Sequence, residues 1–250
     1  MSYSNRLKER LITNAKKLCQ EKSFTGEERK TAFLFDDISM SFNPDSYKNI
    51  LENAEYKSRL DKVHPQASGF MEMQSSNSSD ALLMNFFAHP RIKEWKSLRD
   101  LLLFFQSDEI EFGWNPLFEN ETTKTEVDMK IGNQIFEAKL TESDFTKKDL
   151  EVVLRYANVE NIIDLKPFIN ENNEVINYQL IRNILAAEKY GYKFNLLVDE
   201  TRTDLIREFY RVKMAIINKD LADQCNFYTW QEIAEAVGRD LKNYITDKYF

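Results

Sequence analysis

The sequence contains little of what several special classes of protein require. Only two cysteines occur in 250 residues, Cys19 and Cys225, and their wide separation excludes a disulfide framework or a cysteine-based zinc site. The two histidines, His64 and His89, are isolated and form no zinc-binding set. Six glycines and five prolines are too few for a fibrous or loop-dominated chain. These shortages favour a protein of a reducing compartment with an ordinary packed core.

Long apolar runs are also missing. None approaches the roughly 20 residues that cross a bilayer, so we expect no membrane partner. The first ten residues are polar and mixed in charge, unlike a signal peptide. A hydrophobic fraction of 42%, with 18 phenylalanines, supplies ample material for a core. We therefore expect a cytoplasmic globular protein.

Positive charge is in deficit, since 34 Lys and Arg face 41 Asp and Glu for a net charge of −7. Proteins that bind nucleic acid without sequence preference are usually basic, so any DNA contact must come from local basic patches. Residues 1–31 form one candidate patch. A second candidate, the 91–99 patch, consists of Arg91, Lys93, Lys96 and Arg99. The alternative interpretation of each patch is a solvated helix face.

The first hundred residues have a helical pattern. Asn43-Pro44 is typical of a helix start, and that helix is expected to run to about Leu60. Ser78 or Ser79 is expected to cap another helix, which Pro90 ends. A further apolar helix is expected over 98–105.

The pattern changes after Phe105. Alternating polar and apolar residues predict strands at 109–112, 126–131 and 134–140, the last two joined as a hairpin by Gly132-Asn133. Later helices are expected at 146–157, 178–190 and 203–217 and from Thr229, with a buried strand at 193–198. This order predicts an α/β fold with a helical part at 1–97 and a core at 98–250, as one compact unit.

The predicted hairpin places acidic residues opposite each other. With Gly132 and Asn133 as the turn, Asp128 faces Glu137, and Lys139 lies two residues further along the same face. The residues of that face are Glu126, Asp128, Lys130, Ile135, Glu137 and Lys139. Like charges directly opposite are destabilising in a sheet, and a bound cation would remove that cost. A solvated hairpin face with a Glu126–Lys139 ion pair is the alternative.

This arrangement suits hydrolysis of a phosphodiester. Mg²⁺ or Mn²⁺ prefers oxygen ligands, which the carboxylates of Asp128 and Glu137 and the backbone carbonyl of Ala138 would supply. Lys139 could orient or deprotonate the attacking water. Glu111 and Glu119 are candidates for a further acidic ligand, although an exposed strand or loop charge is the favoured interpretation of each.

Asp128 followed by Glu137-Ala138-Lys139 on successive strands resembles the signature of the PD-(D/E)XK nuclease superfamily. The amino-acid sequence at 135–142, 178–183 and 229–232 is similar to that of a restriction-endonuclease-like bacterial group. This resemblance covers roughly residues 80–245. One departure is Val127, where the signature has proline. The resemblance implies a central mixed sheet flanked by helices, with a core of helix, three-stranded meander, helix and strand. Relatives often place a polar residue near the site at the position of Gln179, but helix capping is the favoured role for this residue.

The resemblance implies a metal-dependent endodeoxyribonuclease with DNA as its partner, in restriction or defence against foreign DNA. Two alternatives stay open: a nuclease of DNA repair or recombination, and a non-catalytic nucleic-acid-binding or assembly module. The sequence leaves the oligomeric state open, a homodimer included.

Overall fold

The computed structural model describes residues 2–116 and 126–250. The chain divides into two compact units. Unit 1 comprises Met1–Asp108, Asp199–Thr201 and Thr229–Phe250, and unit 2 comprises Glu109–Val198 and Arg202–Tyr228. The expected division between residues 97 and 98 stays a prediction. No helix within the described ranges combines the length and the apolar character that a membrane crossing requires.

The elements are numbered along the chain. The helices are α1 (Tyr3–Lys22), α2 (Pro44–Glu52), α3 (Ala54–Ser58), α4 (Ser79–Phe87), α5 (Lys96–Leu102), α6 (Leu150–Val153), α7 (Val159–Ile162), α8 (Tyr178–Tyr190), α9 (Thr203–Ala215), α10 (Lys219–Asp223), α11 (Trp230–Ala236) and α12 (Arg239–Tyr249). The strands are β1 (Gly26–Glu28), β2 (Phe33–Phe35), β3 (Ile110–Trp114), β4 (Val127–Ile131), β5 (Gln134–Ala138), β6 (Lys147–Asp149), β7 (Glu174–Ile176), β8 (Lys193–Val198) and β9 (Cys225–Thr229).

Helix starts in unit 1 follow the capping residues of the sequence. Asn43 caps α2, with Pro44 in the first turn, and Ser78 caps α4. The helix expected to run to about Leu60 is interrupted at Asn53. That residue is extended, and its side chain accepts hydrogen bonds from the first N–H groups of α3. Asparagine competes for the backbone in this way, which is why it favours caps over helix interiors.

The last helix of unit 1, α12, carries a buried lysine. Lys248 is 2% exposed, and its Nζ donates a hydrogen bond to the backbone oxygen of Ser41 at 2.6 Å. The ring of Phe35 lies 4.7 Å from the amine. Burial holds the pKa of Lys248 well below its ordinary value, and the positive charge of Lys22 adds to the lowering.

A five-stranded mixed sheet, in the order β3-β4-β5-β8-β9, forms the centre of the α/β fold and confirms the predicted mixed sheet. Strand β4 is antiparallel to β3 and β5, and β5 is parallel to β8. The β4–β5 hairpin has the expected register, with Ile131 opposite Gln134 and Met129 opposite Phe136. Gly132 has a φ of 54°, which a tight hairpin turn requires and which glycine adopts without strain.

Helix α8 covers one face of β5 and β8. It ends at Tyr190 as expected, because Gly191 takes the left-handed conformation that terminates helices. Its apolar residues Leu180, Ile181 and Ile184 share a core with Ile135 of β5 and with the apolar residues of β8. All five residues of β5 are buried. The central strand is therefore shielded on both faces, as in sheets that are covered by helices.

The helix expected over 146–157 is wrong at both ends. Lys147–Asp149 forms strand β6, which pairs antiparallel with β7, and only Leu150–Val153 is helical. Thr146 has a φ of 56°, so it cannot serve as the extended N-cap of the expected capping box. The pairing with β7, supported by an ion pair between Lys147 and Glu174, outweighs the local helical preference.

Candidate active site

Asp128 and Glu137 come together where the backbone pairing of β4 and β5 ends. The register between these strands stops at Met129–Phe136. In a continued ladder, the N–H of Ala138 would bond to the backbone of Val127. Instead it donates to Oδ2 of Asp128 at 2.7 Å. The carboxylate of Asp128 is thus fixed beside the peptide that follows Glu137.

Glu137 and Lys139 form a buried ion pair. The Nζ of Lys139 lies 2.7 Å from Oε1 of Glu137, and the two side chains are 6% and 2% exposed. A solvated hairpin face would leave both side chains in water, so that alternative does not fit the structure. The ion pair of Lys139 with Glu137 also differs from the Glu126–Lys139 pair of that alternative.

The surroundings of Lys139 keep its amine charged. Burial alone would lower the pKa of Lys139, but the carboxylates of Glu137, Glu142 and Asp128 outweigh burial and raise it above its ordinary value. The amine also donates to Oε1 of Gln179 at 3.0 Å. The expected capping role of Gln179 is therefore wrong. Asn177 occupies the N-cap position of α8, and the Gln179 side chain turns toward the lysine.

Two neighbouring residues of α8 extend this network. The side-chain amide of Asn183 is fully buried, and its Nδ2 donates to Oε2 of Glu137 at 2.6 Å. Oδ1 of the same amide accepts from Nε and Nη2 of Arg182 at 3.0 and 2.9 Å. The two donors of Arg182 fix the amide with its NH₂ group toward Glu137. Both oxygens of Glu137 thus have a positioned donor.

Arg202 holds the chain that follows Lys139. Its side chain is fully buried and donates to the backbone oxygens of Leu140 at 2.8 Å and Glu142 at 2.7 Å. Two further bonds of 3.0 Å join it to Asp204, which balances its charge. Arg202 therefore fixes the end of the segment that carries Glu137 and Lys139.

The further acidic ligand expected from the sequence stays a prediction. Glu111 forms an ion pair with Lys130 on the neighbouring strand, and Glu119 lies outside the described residues. Among residues 2–116 and 126–250, no group of three or more His, Cys, Asp or Glu side chains is placed to hold a metal ion. The candidate ligands within this range are the carboxylates of Asp128 and Glu137 and the backbone of Ala138.

The 91–99 patch lies in unit 1, and part of its charge is neutralised. Arg91 bonds to Glu94 at 2.8 Å, and Lys96 forms an ion pair with Asp100. Lys93 and Arg99 are half-buried. Only Lys96 and Arg99 lie on helix α5, so the helix-face interpretation applies to that part of the patch, and the contact of the patch with DNA stays a prediction.

Sequence reasoning missed Asn183, Arg182 and Arg202. One signal was present, because Gln179 and Asn183 lie four residues apart and so share one face of a helix. That face is otherwise apolar, with Leu180, Ile184 and Ala187 nearby. Polar residues at such positions indicate a buried polar partner. No comparable pattern marks Arg202, since its contacts with the segment after Lys139 are made to backbone oxygens about 60 residues away.

The mixed sheet and the buried carboxylate–lysine pair at the end of its central strand define an α/β protein compatible with a restriction-endonuclease-like core. A family model described as Restriction Endonuclease associating with ARP (REase-ARP) matches residues 13–250. The chain therefore belongs to this family. No curated protein and no solved structure matches it.

Proposed function

We propose that this protein is a metal-dependent endodeoxyribonuclease of the PD-(D/E)XK type, with Asp128, Glu137 and Lys139 as its catalytic residues. The observation that carries the proposal is the buried Glu137–Lys139 pair, with Asp128 fixed beside it. Membership of a restriction endonuclease family supports DNA as the substrate and a role in restriction or defence.

The residues present are compatible with Mg²⁺ or Mn²⁺. Magnesium is commonly held by one or two carboxylates, and water and substrate phosphates complete its coordination. Asp128 and Glu137 would provide those carboxylates, and the backbone carbonyl of Ala138 a further oxygen. The metal would lower the pKa of a bound water and offset charge on the phosphate.

Each protein group then has a defined part. Lys139 is held by Glu137 and Gln179, so its ammonium group would orient the attacking water and offset the charge that develops in the transition state. Asn183 keeps the carboxylate of Glu137 in one orientation. Arg202 keeps the strand end in place. These contacts supply the pre-organisation on which such catalysis depends.

The proposal is tested by incubating the protein with supercoiled plasmid and with single-stranded DNA, in Mg²⁺, in Mn²⁺ and in EDTA. We expect strand cleavage with metal and none in EDTA. Lys139→Ala should lower cleavage at least about 100-fold, the scale of a positioned catalytic group, and leave DNA binding within a few-fold. Lys147→Ala is the matched control, because Lys147 is an exposed, ion-paired lysine of the same unit.

The outcomes separate the candidate functions. DNA binding without cleavage in either metal would contradict the proposal and favour a binding or assembly module. Cleavage at defined sites would support restriction, and cleavage directed at ends, nicks or branched DNA would support repair or recombination. Full activity of Lys139→Ala would show that the active site lies elsewhere.

A further inference from the structure

One arginine beside the candidate site has an unusual set of partners. Arg182 lies on α8 and is half-buried, next to the asparagine that holds Glu137. Its guanidinium bonds to Oδ1 of Asn183 and, through Nη2, to the backbone oxygen of Glu126 at 2.8 Å. Both acceptors are uncharged. The positive charge of Arg182 is therefore fixed in position without being neutralised by these contacts.

Two other buried or half-exposed arginines of unit 2 differ in this respect. Arg202 is paired with Asp204, and Arg211 with Glu208. Within the part of the chain that the structure describes, Arg182 forms no ion pair with a carboxylate. A charge that is withdrawn from water is stabilised by an opposite charge, and Arg182 is partly withdrawn. A cation without a carboxylate partner is available to an anionic ligand.

The geometry also leaves donors available. Three N–H groups of the guanidinium, one on Nε and two on Nη2, serve the bonds to Asn183 and Glu126. The two N–H groups of Nη1 have no partner among residues 2–116 and 126–250. The ring of Tyr178, 5.9 Å from the guanidinium carbon, limits its movement on one side. A pre-organised guanidinium with open N–H donors suits a phosphate oxygen.

The position relative to the carboxylates is equally specific. One amide group separates Arg182 from Glu137, since Asn183 donates to Oε2 of Glu137 at 2.6 Å and accepts from Nε of Arg182 at 3.0 Å. Arg182 also contacts the residue two positions before Asp128. It therefore lies near both candidate metal ligands without bonding to either.

We propose that Arg182 binds a phosphate oxygen of the nucleic-acid backbone next to the bond that is cut. This inference rests on the proposed nuclease function, which it deepens by naming a substrate-binding residue. One positive charge at this point would attract the phosphodiester toward the carboxylates, whose negative charge would otherwise repel it. The contact is to the backbone, so it would hold DNA of any sequence.

The test is the salt dependence of DNA binding. Affinity for a 30-base-pair duplex is measured by fluorescence anisotropy in a KCl series, with Ca²⁺ at one fixed concentration in place of Mg²⁺. The slope of log K against log [salt] is negative, and removing one phosphate contact makes it shallower by about 0.9. Arg182→Gln should show this change and lose about tenfold in affinity, the scale of one charged hydrogen bond.

Arg207→Gln is the matched control. Arg207 belongs to the same unit, its side chain is 73% exposed, and its contact with Glu208 is a loose 3.8 Å. Its replacement also removes one positive charge, so an equal change of slope in both variants would mean a general charge effect and would overturn the inference. Asn183→Ala breaks the link to Glu137 but keeps the guanidinium. It should lower cleavage without changing the slope.

Further measurements exclude a purely structural role. Arg182→Lys keeps the positive charge but lacks the planar set of N–H donors of a guanidinium. Its DNA binding should therefore be weaker than that of wild type but have the same salt dependence. If Arg182→Gln unfolds, the folded Arg182→Lys variant is used instead. Its salt dependence, and the change in its affinity when one phosphate of the duplex is replaced by a neutral methylphosphonate, then test whether residue 182 contacts a phosphate. Insensitivity of wild type to that linkage at every position would overturn the inference. Lack of cleavage by wild type in Mg²⁺, with the slope change present, would instead contradict the nuclease function.

Discussion

Removing the charge of Glu137 tests whether its ion pair with Lys139 is shielded from water, as the structure indicates. The variant Glu137→Gln keeps the shape of the side chain but leaves the ammonium of Lys139 without its closest carboxylate. The chain offers a matched control in Glu111→Gln, which breaks another Glu–Lys pair of the same sheet. The side chains of Glu137 and Lys139 are 2% and 6% exposed, whereas those of Glu111 and Lys130 are 39% and 17% exposed.

The two variants should differ clearly in stability. Breaking a buried ion pair by removing one partner costs about 3–5 kcal/mol, because the remaining charge stays desolvated. The lower end applies here, since Asp128 and Glu142 still attract the amine of Lys139. A more exposed pair contributes about 0–1 kcal/mol, because water replaces the lost partner. We therefore expect Glu137→Gln to lose at least about 2 kcal/mol more than Glu111→Gln.

Urea denaturation at neutral pH measures the difference. The experiment is done in EDTA, so that metal binding cannot contribute, and the transitions are followed by circular dichroism. If the free energy of unfolding falls with urea concentration at the same slope in both variants, they expose the same amount of surface on unfolding. If Glu137→Gln and Glu111→Gln had the same free energy of unfolding, the Glu137–Lys139 pair would be solvated and the description of the site would be wrong.

Three further results are expected. Mg²⁺ should raise the melting temperature of wild type but not of Asp128→Asn, because a ligand of the folded state stabilises it by mass action; equal shifts would exclude Asp128 as a ligand. Changing all four basic residues of the 91–99 patch to glutamine should weaken DNA binding and flatten its salt dependence, and an unchanged slope would place the binding surface elsewhere. The lowered pKa of Lys248 means that the unfolded state binds more protons at this residue between neutral pH and the ordinary pKa of lysine, so Lys248 should contribute a rise in stability with pH in that range. Lys248→Met should lose this rise, and an identical pH profile for both proteins would contradict it.

Local sequence patterns were enough to predict most of the secondary structure. The hairpin follows from two alternating runs around Gly132, and its register places Met129 opposite Phe136 as predicted. The ends of α8 and the capping box at the start of α11 could also be predicted from the sequence, because each depends on a few neighbouring residues. Prediction failed at Thr146, where pairing with a strand more than 20 residues away decides the conformation.

The candidate site was predictable in part for the same reason. Spacing along the hairpin is enough to bring Asp128, Glu137 and Lys139 to one face. Burial of that face is not a local property, since it depends on α8 packing across β5 and on the parallel pairing of β5 with β8. The roles of Asn183 and Arg182 follow from that packing. A sequence that is read one element at a time does not reveal them.

Burial of the charged pair is itself an argument about function. Glu137 and Lys139 are both buried, and Ile135, Phe194 and Leu196 belong to the apolar core of the same sheet. Well-packed apolar residues in place of a buried ion pair are often neutral or stabilising. A sheet under selection for stability alone would therefore gain little from these charges. Their presence, with a positioned donor for each oxygen of Glu137, favours a site at which the charges act on a ligand.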